Sequence, residues 1–268
     1  MTEFRVLPAS PRVLDEAHPA VSRRATILGG ASAAALGLMG SAAAQEATPA
    51  PDPATAPLSG FDIYVAGLHC AKEEPEMQME AHHYCKQVEE GVFQCALFDG
   101  NSDTARLIGL EYIIAEARFL ELPEDEQAYW HPHNYEVFSG QLVAPTLPAV
   151  AEQQLMQVLI NSYGKTWHAW HTGRPDGTGE PGDPLPLGPA MLQWSFNHDG
   201  EADESLLQHF NESLGINPDQ KRQERTQFVP QANPQEGVNA LQGAFPNAST
   251  ETLPGVEDAG DINATPTA

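Results

Sequence analysis

The sequence is poor in cysteine, in basic residues and in long apolar runs. It has 3 cysteines, and 13 Lys and Arg against 37 Asp and Glu, for a formal net charge of −24 in 268 residues. Such an acidic surface repels phosphate backbones and anionic lipid headgroups, which argues against nucleic-acid binding. The longest apolar run, residues 27–40, is shorter than the ~20 residues that span a bilayer, so no permanent anchor is expected.

The three cysteines, Cys70, Cys85 and Cys95, lack a Cys-x-x-Cys pair. That spacing excludes a zinc knuckle and a thioredoxin motif. One disulfide with a leftover thiol fits an oxidising compartment, and three buried thiols fit the sequence equally well. Thiol redox chemistry at Cys85 and Cys95 is a further hypothesis.

Residues 1–44 are typical of an export signal. Arg23 and Arg24 precede the Ala/Gly-rich apolar run, and small residues precede an expected cleavage site before Gln45. The arginine pair favours the twin-arginine route over the general secretory route. We therefore expect a bacterial protein that is periplasmic or secreted. Proteins on this route cross the membrane folded, often after a cofactor has been inserted.

Composition divides the rest of the chain into three parts. Residues 45–59 form a Pro/Ala-rich linker, residues 60–228 form one domain, and residues 229–268 are expected to be a disordered acidic tail. Within the domain, strands and separate helices occur without strict alternation, which predicts an α+β fold around a mainly antiparallel sheet.

The spacing of apolar residues, together with the positions of turn residues, predicts the elements of this domain. The predicted strands are residues 61–65, 81–88, 92–98, 106–114, 134–143, 166–171 and 190–196, with a hairpin at Gly91 and a helix over 104–120 as an alternative to the fourth strand. The predicted helices begin at Pro123, span residues 150–162 with Gly164 as the cap, and span residues 204–214 with Gly215 at the end; residues 172–188 form a loop.

Six of the ten histidines lie between residues 80 and 171. On a strand, residues two apart share a face, so His131 and His133 can converge on one metal ion, and His83 can act with Cys85. Glu136 would face away from that pair on a strand, which argues against a cupin-like His-x-His…Glu site. Packed histidines that form hydrogen bonds are the alternative for both pairs.

Glu111 lies in the apolar run LIGLEYII, residues 107–114. A carboxylate in such a run needs a partner or a shifted pKa, so we predict a metal ligand, a general base or an acceptor for a histidine N–H. An outward-facing side chain on a half-exposed strand is the alternative.

Several ordered motifs resemble the oil-body-associated protein family, which is named from plant seed oil bodies. They are EAHHYC (80–85), QC (94–95), ARLIGLEYII (105–114), YWHPH (129–133), YE (135–136), YGK (163–165) and LPLGPAM (185–191). The resemblance spans residues 61–196 and implies association with oil bodies in the plant members. It implies no catalytic mechanism.

The leading hypothesis is a histidine-centred site of unassigned activity that binds a divalent transition metal such as zinc. Its expected ligands are His83, His131, His133 and Glu111, with Cys85 next. The alternative is a non-catalytic protein that holds an apolar or lipid-like ligand with its tryptophans. Those tryptophans are Trp130, Trp167, Trp170 and Trp194.

Overall fold

Seven strands and six helices make up residues 56–260, the part of the chain that the computed structural model describes. The strands are β1 (Ile63–Ala71), β2 (Gln78–Glu89), β3 (Val92–Phe98), β4 (Leu107–Ala115), β5 (His131–Pro132), β6 (Ser162–His168) and β7 (Met191–Trp194). The helices are α1 (Glu116–Phe119), α2 (Glu124–Gln127), α3 (Asn134–Ser139), α4 (Ala149–Leu159), α5 (Glu204–Leu214) and α6 (Pro218–Arg225). Short 3-10 turns cover Ala56–Leu58 and Thr226–Gln231.

Six strands close into an antiparallel barrel in the order β1–β2–β3–β4–β6–β7, and β7 pairs with β1 to complete the circuit. The expected α+β class with a mainly antiparallel sheet is confirmed. The structure adds that this sheet closes into a barrel. The predicted hairpin around Gly91 joins β2 to β3, and residues 106–114 are confirmed as strand β4. The alternative helix over 104–120 is wrong.

The barrel wall between β1 and β6 is built from two separate pieces of chain. Strand β7 has only four residues and contacts β1 at Cys70 and Ala71. Beyond its end, His131 of β5 pairs with Gly164 of β6, and Val143 forms an isolated bridge to Ala66 of β1. The chain between residues 131 and 143 therefore enters the wall and brings its side chains to the barrel interior.

The predicted strand over residues 134–143 is wrong. Residues Asn134–Ser139 form helix α3, and all six are buried, so no polar face marks the helical period in the sequence. Gly140 ends the helix at φ 83°, the left-handed conformation that glycine adopts without a Cβ clash. Gly164 was expected to cap a helix, but α4 ends at Leu159 and Gly164 lies inside β6.

The segment after Val229 differs from the expected disordered tail as far as Gly260, where the described residues end. Gln235, Val238 and Val256 are fully buried. The Gln235 side chain accepts a hydrogen bond from the Asn134 amide and donates one to the Ser162 carbonyl. A few apolar and amide side chains thus pack this segment against the domain, although its composition resembles that of a linker.

The expected export signal, residues 1–44, and most of the expected linker lie outside the described residues. Within residues 56–260, no helix has the length and apolar character that crossing a membrane requires.

Candidate metal centre

The inner face of the barrel carries Glu111. On β4, Leu110 and Tyr112 are exposed by 42% and 44%, whereas Glu111 between them is exposed by 2%. Paired residues on neighbouring strands point to the same face, and Glu111 stands opposite Cys95 and Thr166, both buried. The outward-facing alternative for Glu111 is therefore wrong.

Three predicted histidines surround the Glu111 carboxylate. His83 Nε2 lies 2.7 Å from Oε2, while His133 Nε2 and His131 Nε2 lie 3.3 and 3.7 Å from Oε1. All four side chains are exposed by 2% or less. His83 comes from the inner face of β2, and His131 and His133 come from the chain that fills the gap beside β7. The structure thus brings the four main predicted ligands together.

Gly164 lies against three of these donor atoms. A Cβ built at Gly164 would lie 2.2 Å from Glu111 Oε1 and 2.7 Å from the Nε2 atoms of both His131 and His133. At these distances a Cβ would clash with all three atoms. The missing side chain of Gly164 therefore allows one carboxylate oxygen and two imidazole nitrogens to converge against the backbone of β6.

The hydrogen bonds of Ser162 determine the tautomer of His133. The Ser162 hydroxyl donates its proton to the Leu159 carbonyl at 2.9 Å, so it accepts from His133 Nδ1 at 2.8 Å. A neutral His133 then has a lone pair on Nε2, directed toward a carboxylate oxygen that also only accepts. Nε2 needs a second proton or a metal ion to interact favourably with Glu111.

Several buried side-chain nitrogen and oxygen atoms lack a hydrogen-bond partner among the described residues. They include both ring nitrogens of His131, both carboxylate oxygens of Glu136 and Nδ1 of His83. A buried polar atom without a partner costs about 1–3 kcal/mol, and native structures contain few of them. Of these atoms, His131 Nε2 and the Glu136 carboxylate lie beside Glu111 and His133, where a cation could accept one lone pair from each side chain.

Glu136 belongs to this cluster, contrary to the sequence expectation. Helix α3 turns its side chain back, and Oε2 lies 4.0 Å from His133 Nε2. Burial and the neighbouring Glu111 carboxylate hold the pKa of Glu136 well above its usual value. The rejected His-x-His…Glu grouping therefore exists here, although a helix rather than a strand creates it.

Burial and charge set the protonation of the other donors. Burial lowers the pKa of His131 well below its usual value, so one of its ring nitrogens offers a lone pair at neutral pH. Burial raises the pKa of Glu111, but the surrounding imidazoles, His83 first, lower it more, and it ends well below its usual value. A general base works best with a pKa near the operating pH, so Glu111 fits a ligand better than the base that the sequence allowed.

His69 and His168 extend the cluster, and sequence reasoning missed both. The His69 ring centroid lies 5.1 Å from that of His83 and 5.8 Å from that of His131, and His69 Nδ1 lies 3.4 Å from His168 Nε2. Burial lowers the pKa of His168 to about 3. His69 would have been found by extending the predicted strand beyond Val65, since alternate residues of β1 keep facing inward.

Cys85 shares the inner face with His83, as expected, but it is not a thiolate ligand. Its sulfur is bonded to that of Cys95, which stands directly opposite in the hairpin. Both residues are buried, so neither supplies an accessible thiol for redox chemistry. Cys70 is free and fully buried, and burial raises its pKa well above the usual value.

Two of the four tryptophans, Trp130 and Trp194, border a cavity of about 280 Å³ near Lys72, and Trp167 and Trp170 are not part of its lining. A mostly apolar cavity of about 340 Å³ lies outside the hairpin and is lined by aromatic and aliphatic side chains. These side chains include Leu58, Phe61, Tyr84, Ala96 and Phe98.

The donor set as a whole contains two groups that could hold a metal ion. One consists of Glu111, His131 and His133, and the other of His69, His83 and Glu111, each with its donor atoms within 4.8 Å of one another. Imidazole-rich sets with one or two carboxylates suit zinc, iron, copper and nickel, whereas magnesium and calcium take oxygen ligands.

Comparison with known proteins adds a family. A family model described as "Protein of unknown function (DUF1264)" matches residues 55–229. Oil body-associated protein 1A of Zea mays is 34% identical over 189 residues, 70% of this chain and 75% of that protein. Oil body-associated protein 1B of Arabidopsis thaliana is 30% identical over 186 residues, 69% of this chain and 73% of that protein.

Oil body-associated protein 2B of Arabidopsis thaliana is 37% identical over 139 residues, 52% of this chain and 53% of that protein. No solved structure matches the chain. The resemblance that the sequence motifs indicated is confirmed.

Proposed function

The chain belongs to the DUF1264 family, and we propose that it binds a divalent transition-metal ion such as Zn²⁺ between Glu111, His131 and His133. The observation that carries the proposal is the convergence of the three donor atoms, which lie within 4.8 Å of one another beside Gly164. The lone pair of His133, directed at the carboxylate, supports it. Glu136 supplies a further oxygen at the edge of the site.

The donors are held before the ion arrives. They come from β4, β5 and α3, which the barrel fixes relative to one another, and Ser162 orients His133 through a second hydrogen bond. A metal-ligating histidine usually donates its other N–H to such an acceptor. When bound, the ion would supply Lewis acidity, and this chain's residues would hold it and keep bulk water away.

The proposal is tested at Gly164. We expect Gly164→Ala to abolish high-affinity Zn²⁺ binding to the full chain in calorimetric titration, because its Cβ would clash with all three donor atoms and displace them. Gly100→Ala is the matched control, since a Cβ there meets only Ala105 at 3.8 Å. Zn²⁺ binding of Gly164→Ala that equals that of the native chain would exclude this site.

A second candidate function is binding of an apolar or lipid-like ligand in the cavity outside the hairpin. Its volume of about 340 Å³ and its aromatic lining support this, and the names of the plant relatives link those proteins to oil bodies. We expect fatty acids to bind there, and Ala96→Trp to block them. Isothermal titration with oleate that shows no heat for the native chain would exclude this candidate.

We also propose that the chain is exported, on the strength of the arginine pair and apolar run in residues 1–44. Fractionation of bacteria that express the full chain would test this. Recovery in the periplasm, lost when Arg23 and Arg24 are replaced by lysine, is the expected result. Periplasmic recovery that is unaffected by this change would favour the general secretory route.

A further inference from the structure

Three buried histidines of the cluster are not ligands of the ion proposed between Glu111, His131 and His133. They are His69, His83 and His168, each exposed by 2% or less, and each from a different strand. His69 and His83 form a group with Glu111 whose donor atoms lie within 4.8 Å of one another. These residues therefore stand on the side of Glu111 that the first ion does not use.

The two oxygens of Glu111 face different sets of imidazoles. Oε1 faces His131 and His133, and Oε2 lies 2.7 Å from His83 Nε2. A carboxylate that presents one oxygen to each of two donor sets is suited to bridge two ions, which in two-metal sites lie about 3.5–4 Å apart.

A chain of hydrogen bonds fixes the tautomer of His69. His168 Nδ1 lies 3.1 Å from Met79 Sδ, a thioether that only accepts, so a neutral His168 carries its proton on Nδ1. His168 Nε2 then accepts from His69 Nδ1 at 3.4 Å, which leaves the lone pair of His69 on Nε2. His168 and Met79 act as positioning residues, since they prepare His69 to bind a cation.

We propose that a second divalent transition-metal ion binds His69, His83 and Glu111 Oε2, so that Glu111 bridges two ions. This rests on the proposed function, because both ions share Glu111. The second ion would replace the hydrogen bond between His83 Nε2 and Glu111 Oε2, and a neutral His83 would bind it through Nε2 with its proton on Nδ1. The Glu111 carboxylate supplies negative charge that offsets part of the charge of the buried cations.

The test is the number of ions per chain. The full chain, purified without a histidine tag and saturated with Co²⁺, is expected to hold two ions by elemental analysis. Two Co²⁺ ions bridged by a carboxylate would also couple magnetically. His69→Asn should hold one uncoupled ion. The control His82→Asn should hold two, because His82 neighbours His83 on β2 but faces outward, toward Tyr64.

Met79→Leu is a second variant. It changes the side-chain shape little and leaves every proposed metal ligand in place. It removes the acceptor that orients His168, so we expect the second ion to bind 10–100-fold more weakly while the first is unchanged. One ion per native chain, or two in His69→Asn, would overturn the second site and leave the first in place. No ion in the native chain would overturn both sites.

Discussion

At the scale of single residues, the centre depends on positions that bind nothing themselves. Gly164 contributes an absent side chain, and Ser162 contributes a hydroxyl that forces the Nε2 lone pair of His133 toward Glu111. Neither role is visible in the sequence, where Gly164 reads as a helix cap and Ser162 as the end of a helix. Their roles appear only once β4, β5 and β6 are side by side.

We predict that Ser162→Ala weakens Zn²⁺ binding by about 10–100-fold, because His133 loses the acceptor that holds its tautomer and ring orientation. Competition with a chromogenic chelator measures the change. Ser213→Ala is the matched control, since its hydroxyl also donates to a carbonyl three residues earlier, at Phe210, and it lies outside the histidine cluster. Equal affinities of the two variants would contradict this role of Ser162.

At the scale of elements, the sequence reveals those with a clear period and conceals those that are buried on all sides. Buried and half-buried residues alternate along β3, and α5 is amphipathic, so both could be predicted. Helix α3 is buried along its whole length, and β5 has two residues, so no periodic signal marks either. The predicted pair His131 and His133 was therefore recognised by residue type, whereas Glu136 was misplaced.

We predict that the disulfide between β2 and β3 stabilises the fold by about 2–3 kcal/mol. The cysteines are separated by 10 residues, and closing a loop of that length removes a corresponding amount of unfolded-state entropy. Urea unfolding of the native chain with and without reductant measures the difference. Reductant should not affect Cys85→Ala/Cys95→Ala. Three reactive thiols in the unreduced, denatured native chain would contradict the disulfide.

We predict that the cap of α5 loses its effect in acid. Asp203 accepts hydrogen bonds from the amides of Ser205 and Leu206, and a hydrogen bond from the Ser205 side chain contributes most to a pKa lowered to about 2. Because the pKa of Asp203 is lower in the folded chain, its carboxylate stabilises the fold at pH values above about 4, the pKa of Asp in the unfolded chain. This stabilisation is lost as the pH falls toward 2.

Asp203→Ala should therefore cost about 1 kcal/mol at pH 7 and less as the pH approaches 2, in urea unfolding series. Asn217→Ala is the control, because Asn217 caps α6 through an oxygen that does not titrate in this range. A cost of Asp203→Ala that does not change with pH would show that its charge plays no part.

At the scale of the whole molecule, the donors come from elements that are far apart in sequence. His83 and His131 are separated by two strands and two helices, and closure of the barrel brings them to one carboxylate. The sequence could predict the class of fold and four of the clustered side chains from residue type and strand parity. It could not predict closure, the positions of His69 and His168, or the ordered packing of residues 229–260.

We predict that a bound ion stabilises the fold, since the unfolded chain cannot hold these donors together. At a free Zn²⁺ concentration 100 times the Kd, the gain is about 2.7 kcal/mol, which raises the Tm of a domain of this size by about 5–10 °C. Thermal melts with Zn²⁺ and with a chelator measure it. No shift in the native chain, or an equal shift in Gly164→Ala, would contradict this coupling.

Elemental analysis of the full chain, purified without a histidine tag or chelators, tests the metal centre most directly. The expected result is at least one zinc, iron, copper, nickel or manganese ion per chain, and less in His133→Ala. No metal in the protein as purified, and none after incubation with each ion, would contradict the metal centre and leave its histidines as structural residues.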